Sequence, residues 1–269
     1  MKLFQTYLHL LIFLSFSATS TAIPKYAKTG CNDTCGNVMI PYPFGIGADC
    51  SVNKWYIVDC NSSTPYLPAL NHLEVLGVNL KNLTVTVSSP RITDCQNSVW
   101  NNNGVDLGGS PFLFSKRHNK FVFEGCGIAV MMDNGSVVTG CSTACPGVTV
   151  SERNSCFGIG CCQAAIPHYL KSYNVNFTME EEEEGGCGPA FLVDEALYDQ
   201  GRNTSFIPVS LRWTLANSDH LTCCDNATRK RRKVDMSNGT SVDTWECKYF
   251  TGYTGNPYLV DGCKYDYGM

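Results

Sequence analysis

Apolar and polar positions alternate over short stretches of the chain, in a pattern typical of β-strands. The segments WYIVD, LEVLGVNL and LTVTVSS, which begin at Trp55, Leu73 and Leu83, are rich in Val, Ile, Thr and Tyr, and these residue types favour strands. In LTVTV every second residue is apolar, as expected of a strand with one buried face. Pro, Asn and Gly separate the segments and predict turns between them.

Further along, the chain shows one strong hairpin pattern and little that is helical. The runs GIAVMM and SVVTG flank Asp133-Asn134-Gly135, and an Asn-Gly pair tolerates the positive φ that a tight hairpin turn requires. One short helix is predicted at residues 194–200. The pattern as a whole therefore predicts a mainly β protein.

The cysteines indicate a fold held together by disulfide bonds. There are sixteen, many of them close together with Pro and Gly between, which is typical of loop-rich secreted domains. Neither vicinal pair, Cys161-Cys162 or Cys223-Cys224, has a second ligand pair at zinc spacing, so structural disulfides are favoured over metal or redox chemistry. The sequence leaves the pairing open for all of them: Cys31, Cys35, Cys50, Cys60, Cys95, Cys126, Cys141, Cys145, Cys156, Cys161, Cys162, Cys187, Cys223, Cys224, Cys247 and Cys263.

The start of the chain predicts export, which agrees with oxidised cysteines. Met1-Lys2, an apolar run over residues 8–16 and the small residues up to Ala22 are typical of a signal peptide over residues 1–22. We therefore expect a secreted protein of the extracellular space or cell wall. Eight N-x-S/T sequons predict that it is glycosylated: Asn32, Asn61, Asn82, Asn134, Asn176, Asn203, Asn226 and Asn238.

Two stretches resemble the extracellular part of plant wall-associated receptor kinases. Cys31, Cys35, Gly36 and the IPYPFGI stretch over residues 40–46 match the opening of the family's galacturonan-binding domain. The elements at residues 121–126, 140–145 and 158–167, the last of them GIGCCQAAIP, are similar to its second, cysteine-rich extracellular domain. The resemblance implies a galacturonan-binding domain over residues 31–95 and a cysteine-rich extracellular domain over residues 96–222.

The last segment, over residues 223–269, resembles an epidermal-growth-factor-like repeat that is degenerate or truncated. GYTGNPYLVDGC matches the closing half of such a repeat, but the C-x-C that precedes it in the family is replaced by Cys247-Lys248-Tyr249. The usual partner of Cys263 is therefore missing. The predicted fold class is a disulfide-rich, mainly β secreted protein with two small β-rich domains and this C-terminal tail.

No catalytic pattern accompanies the resemblance. The sequence has no nucleophile elbow, no H-E-x-x-H and no kinase segment such as H-R-D, so we expect no enzyme, no catalytic residue, no cofactor and no metal site. The five carboxylates at residues 180–184 lack the alternating spacing of a calcium loop and predict a solvated loop.

Charge limits where an anionic ligand can bind. The net charge is −4, which disfavours nucleic acid as a partner and requires a local basic patch for any polyanion. In the first domain Lys54, Lys81 and Arg91 are candidate uronate contacts, with Trp55 and Tyr56 as candidate aromatic faces. The alternative for the aromatic side chains is the core. The RKRRK run at residues 229–233 is a second candidate, or else an exposed loop or a protease processing site.

The resemblance implies non-catalytic binding of pectin or oligogalacturonides. The chain would act as a secreted receptor-like protein or a truncated receptor ectodomain, with membrane receptor-like kinases as a further partner. One alternative is a structural or protein-interaction module that pairs with membrane receptors and binds no sugar. Another is a secreted defence protein of a different disulfide-rich all-β type, such as the thaumatin-like proteins, against which IPYPFGI and GNPYL argue.

Overall fold

The computed structural model describes residues 26–91, 106–145, 156–178, 188–199 and 205–266. The predicted signal peptide and the carboxylate run at residues 180–184 lie outside this part. So do three of the predicted site residues, Cys95, Cys187 and Asn203.

The described chain is built from short strands, which confirms the mainly β prediction. Its four helices are single 3-10 turns at Ala48–Cys50, Lys54–Tyr56, Pro68–Leu70 and Asn217–Asp219. The strands are β1 Thr34–Cys35, β2 Val38–Met39, β3 Gly45–Ile46, β4 Ile57–Asn61, β5 Thr64–Leu67, β6 Leu73–Asn79, β7 Thr84–Pro90, β8 Phe112–Phe114, β9 Asn119–Phe123, β10 Gly127–Asp133, β11 Ser136–Thr143, β12 Cys162–Ala165, β13 Asn174–Thr178, β14 Ala190–Asp194, β15 Phe206–Trp213, β16 Ala227–Asp235, β17 Ser241–Tyr249, β18 Tyr253–Gly255 and β19 Cys263–Tyr265.

The helix predicted at residues 194–200 is wrong. Asp194 ends β14, and the chain then makes a turn in which the Leu197 N–H donates to the Asp194 carbonyl at 3.1 Å. The Asp194 carboxylate also accepts the Ala196 N–H at 3.0 Å. An Asp side chain that bonds to the backbone two residues on favours such a turn over a helix.

A seven-stranded sheet in the order β3-β4-β5-β6-β7-β15-β8 joins the two predicted domains. β15 pairs with β7 in antiparallel register from Phe206 opposite Pro90 to Arg212 opposite Thr84. Residues on either side of the predicted boundary at 95 therefore share one sheet, and the boundary does not divide the fold into separate sheets.

Two three-stranded sheets, β11-β10-β13 and β12-β9-β14, complete the central part. The predicted hairpin is confirmed by β10 and β11, which turn at Asn134 and Gly135 with φ of 48° and 79°. Both residues have the positive φ that an Asn-Gly turn supplies.

Aromatic side chains from distant segments form the centre of the core. Phe44 lies 5.0 Å from Tyr56 and 6.2 Å from Trp213, and Trp213 lies 5.5 Å from Tyr258, between ring centroids. These rings are buried, and burial of one such side chain contributes roughly 1.5–3 kcal/mol. The IPYPF stretch, the strand that ends in Trp213 and the GNPYL turn are thus packed against one another.

Asn256 fastens the GNPYL turn to the start of the described chain. Its side-chain amide donates to the carbonyls of Tyr26 and Tyr42, both at 2.8 Å, and its side-chain oxygen accepts the Tyr258 N–H at 3.0 Å. Asn256 is fully buried. The C-terminal tail is therefore part of the same packed body as the N-terminal segment.

All fourteen cysteines of the described part form disulfides, which confirms the disulfide-rich prediction. Cys263, whose family partner is missing from the sequence, pairs with Cys224 instead. The four cysteines of the two vicinal pairs form structural disulfides as predicted, each with a cysteine outside its own pair. The bonds are Cys31–Cys50, Cys35–Cys60, Cys126–Cys145, Cys141–Cys162, Cys156–Cys161, Cys223–Cys247 and Cys224–Cys263.

Candidate polyanion-binding surface

Lys54 and Trp55 form a cation and an aromatic face at the surface. They lie in the 3-10 helix Lys54–Tyr56, just before β4. The Asn53 side chain caps the start of this helix by accepting the Trp55 N–H at 2.9 Å. Lys54 is exposed, and its Nζ lies 5.3 Å from the centroid of the half-buried Trp55 ring. A solvent-facing cation beside an indole is a suitable contact for a sugar that carries a carboxylate.

Tyr56, the next residue, belongs to the core and has no free face for a ligand. It is fully buried between Phe44 and Phe112, and its hydroxyl donates to the Thr214 carbonyl at 2.5 Å. Burial raises its pKa well above the usual range of a phenol. The core alternative for this aromatic side chain is therefore the correct one.

Arg91 is also unsuitable as a uronate contact, because other groups already surround it. Its side chain is 7% exposed and forms an ion pair with Glu124 at 3.1 Å, while its guanidinium packs 4.6 Å from the centre of the Phe191 ring. The Tyr198 hydroxyl donates to the same carboxylate at 2.8 Å. Arg91 thus ties the end of β7 to the segment around β9 and β14.

Lys81 is exposed but lies in a different place from Lys54, in the turn between β6 and β7. The turn is fixed by the Asn79 side chain, which accepts the Asn82 N–H at 2.9 Å. Asn82 is itself a predicted glycosylation site. A glycan there would stand directly beside Lys81.

The predicted glycosylation sites that the structure describes lie at the surface or are partly exposed. Asn176 and Asn226 are half-buried, whereas five are exposed, namely Asn32, Asn61, Asn82, Asn134 and Asn238. Glycosylation at each of them stays a prediction.

The basic run at residues 229–233 is a strand and not a loop. It forms the middle of β16, which pairs with β17 over nine positions, from Ala227 opposite Tyr249 to Asp235 opposite Ser241. All five cations are exposed. We call β16 and β17 with their turn the basic hairpin. A strand held in such a ladder also differs from the exposed loop tips that proteases prefer.

Two carboxylates on β17 form ion pairs with two of these cations and neutralise part of the positive charge. Arg231 pairs with Asp243 at 2.5 Å and Arg232 pairs with Glu246 at 2.7 Å. The hydrogen bond between Arg231 and Asp243 lowers the pKa of the carboxyl and raises that of the guanidinium. Lys230 and Lys233 form no ion pair with any residue that the structure describes, so the hairpin keeps a positive surface.

Arg229 forms a second pairing of a cation with an indole. Its guanidinium lies 4.3 Å from the centroid of the half-buried Trp245 ring, and it donates to the Asn217 side chain at 3.0 Å. The one signal of this hairpin in the sequence is Asn238-Gly239, of which Gly239 has a positive φ of 77°, because the five consecutive cations before it do not alternate.

The short helix Asn217–Asp219 lies between the two cation–indole pairs. Asp219 accepts the Asn53 side-chain N–H at 3.0 Å on one side, and Asn217 accepts from Arg229 on the other. The Trp245 N–H also donates to the Leu215 carbonyl at 2.9 Å. Two candidates that are 175 residues apart in sequence, Lys54 and Arg229, are thereby linked through Asn53 and the three residues of this helix.

The fold and these residues define a disulfide-bonded, mainly β protein whose candidate site is a solvent-facing surface of cations and tryptophans. Comparison with known families agrees: residues 31–89 match the family described as wall-associated receptor kinase galacturonan-binding, and residues 153–222 match wall-associated kinase. The chain thus carries two extracellular regions of the wall-associated receptor kinases and resembles that family over most of its length.

Individual relatives come from Arabidopsis thaliana. Wall-associated receptor kinase-like 6 is 32% identical over 88% of this chain and 44% of its own length. Wall-associated receptor kinase-like 1 is 32% identical over 88% of this chain and 38% of its own length, and wall-associated receptor kinase 5 is 28% identical over 98% and 38%. The chain therefore spans about two fifths of the length of these relatives.

No solved structure matches the chain. Among the residues that the structure describes, none forms a helix of the length and apolar character that a membrane crossing requires.

Proposed function

We propose that the protein binds galacturonan, the acidic polymer of pectin, and catalyses no reaction on it. It acts outside the cell, as a secreted receptor-like protein or as the ectodomain portion of a receptor. The observation that carries the proposal is the Lys54–Trp55 pair within residues 31–89, the region that matches the galacturonan-binding family. Membrane receptor-like kinases remain a proposed partner.

The chemistry of the pair suits a uronate. The indole offers a flat apolar face to the C–H groups of a sugar ring, and the ammonium group of Lys54 attracts the carboxylate of the same or the next unit. An exposed ion pair contributes only about 0.2–1 kcal/mol. Useful affinity therefore comes from many repeats along one polymer, which raise the effective concentration at the site.

Titration with de-esterified oligogalacturonates across a salt series tests the proposal. We expect binding that weakens as salt screens the charges, and that falls several-fold in Lys54→Gln and in Trp55→Ala. Fully methyl-esterified galacturonan, which has no free carboxylates, should bind much more weakly. Arg117→Gln, at an exposed turn residue, is the charge control and should bind like the unmodified protein.

Absence of binding at low salt would refute the proposal and would favour a protein-interaction module. Binding that is equally strong in Lys54→Gln, Trp55→Ala and Arg117→Gln would leave pectin as the ligand but reject this site. Lys81→Gln tests the remaining candidate of the first domain separately.

A further inference from the structure

We infer that the basic hairpin is a second binding surface for the same acidic polysaccharide, so that one polymer chain lies across both the hairpin and the Lys54–Trp55 pair. This inference rests on the proposed function for the class of ligand. It assigns a new role to residues 229–233 and Trp245, which lie outside both matched family regions.

Positive charge is concentrated on the hairpin against the trend of the whole chain. Residues 227–249 contain six Lys and Arg side chains and three Asp and Glu side chains, a net charge of +3, whereas the full chain carries −4. Successive side chains of a strand point to opposite faces, so Arg229, Arg231 and Lys233 lie on the face of Trp245, and Lys230 and Arg232 lie on the other. With a rise of about 3.3 Å per residue, the three cations on the Trp245 face span about 13 Å, so they form a linear array suited to a linear polyanion.

Charge neutralisation within the hairpin is incomplete, and the remaining donors are accessible. Arg231 and Arg232 form ion pairs with Asp243 and Glu246, while Lys233, on the face of Trp245, is exposed and has no described ion pair. Arg229 donates one N–H to Asn217, and a guanidinium has five N–H groups in all. Arginine stacked on an indole is therefore still able to donate to a carboxylate.

The same two chemical groups occur on both sides of the helix Asn217–Asp219. Lys54 lies over Trp55, and the neighbouring Asn53 is hydrogen-bonded to Asp219 at one end of the helix. Arg229 lies over Trp245 and is itself hydrogen-bonded to Asn217 at the other end. The helix therefore connects the two pairs through hydrogen bonds, and we assign both pairs to one binding surface.

A polyuronate fits this surface better than other anionic partners. It supplies both groups that the surface complements, since its sugar rings can contact the two indoles and its carboxylates repeat along a line. A phospholipid headgroup layer or an acidic peptide supplies the charge but has no sugar rings to contact the indoles of the two cation–indole pairs. We therefore assign the hairpin to a polymer of uronate units.

The test compares a short and a long ligand on the full secreted protein. Lys230→Gln/Lys233→Gln removes two cations that hold no described ion pair, so the ladder of β16 and β17 is retained. Arg117→Glu, at an exposed turn residue outside the hairpin, changes the net charge by the same −2 and is the matched control. Each variant is titrated with digalacturonate and with a long de-esterified oligogalacturonate at several salt concentrations.

We expect the hairpin variant to bind the long oligomer roughly 2- to 30-fold more weakly, the range that two exposed ion pairs give, with a shallower salt dependence. Digalacturonate, which is much shorter than the cation array of β16 and the Lys54–Trp55 pair together, should bind it like the unmodified protein. Lys230→Glu/Lys233→Glu should weaken long-oligomer binding further. Circular dichroism and thermal unfolding show that each variant is folded.

The outcomes separate this inference from the proposed function. Long-oligomer binding that is lost in Trp55→Ala but equal in the hairpin variant and its control overturns the inference and leaves the proposed function intact. No binding of either ligand to the unmodified protein overturns the proposed function as well. Tighter binding to phosphatidylserine vesicles than to the long oligomer, lost in the hairpin variant, overturns the assignment to polysaccharide.

Discussion

Removal of the Asn256 side chain should destabilise the whole fold, although this residue lies in a turn near the end of the described chain. Asn256→Ala deletes three buried hydrogen bonds, two to the carbonyls of Tyr26 and Tyr42 and one from the Tyr258 N–H. A buried hydrogen bond contributes about 0.5–1.5 kcal/mol net, so the loss is about 3 kcal/mol. For a chain of 150–250 residues this corresponds to a fall in Tm of roughly 6–12 °C.

Thermal unfolding of the secreted, disulfide-intact protein measures the effect, with Asn256→Asp as the informative variant. It keeps the size and the acceptor for Tyr258 but replaces the amide donors with a carboxylate oxygen that faces two carbonyls. We expect it to be at least as destabilising as Asn256→Ala. Asn37→Ala, at an exposed turn residue, should change stability by less than about 0.5 kcal/mol. A Tm for Asn256→Asp equal to that of the unmodified protein would refute the reasoning.

Two further predictions concern alkaline stability and disulfide pairing. Burial raises the pKa of Tyr173 to about 12. Between pH 10 and 12 its hydroxyl is therefore protonated in the folded state, whereas the phenol of the unfolded chain is ionised. The stability that this group contributes is present below pH 10 and is lost as the pH rises through 12. Tyr173→Phe should make that fall less steep in denaturant titrations between pH 9 and 11, and an unchanged slope would contradict the assignment. Cys224 and Cys263 close a loop with a sequence separation of 39. The double variant Cys224→Ala/Cys263→Ala should therefore lower the free energy of unfolding by about 4 kcal/mol through chain entropy. Peptide mapping that joins Cys263 to Cys247 would show that the pairing is wrong.

Local signals in the sequence predicted the strands but not the partners of each strand. The alternation in LTVTVSS and the Asn134-Gly135 turn act over a few residues, and both are found where predicted. The pairing of β7 with β15 joins residues about 120 positions apart. Neither the alternation of apolar residues nor a turn motif specifies a contact between segments so far apart. The sequence patterns therefore could not predict that one sheet continues across the boundary at residue 95.

The candidate site was predictable residue by residue only in part. Trp55 and Tyr56 are adjacent aromatic residues in a single helical turn, and only the packing of Tyr56 on Phe44 shows which one is buried. Arg91 looked available because Glu124 is 33 residues away. The basic run was expected to be a polyanion contact, or else an exposed loop or a processing site, and it is a strand in which ion pairs with Asp243 and Glu246 reduce the repulsion between the cations.

The bonds from Asn256 to Tyr26 and Tyr42 also have a mechanical consequence. They hold the GNPYL turn against the first described residues. Tension applied between residues 26 and 256 acts directly on these hydrogen bonds, and the seven-stranded sheet carries load only after they break. A protein stretched between these two regions would therefore lose this contact before its sheet.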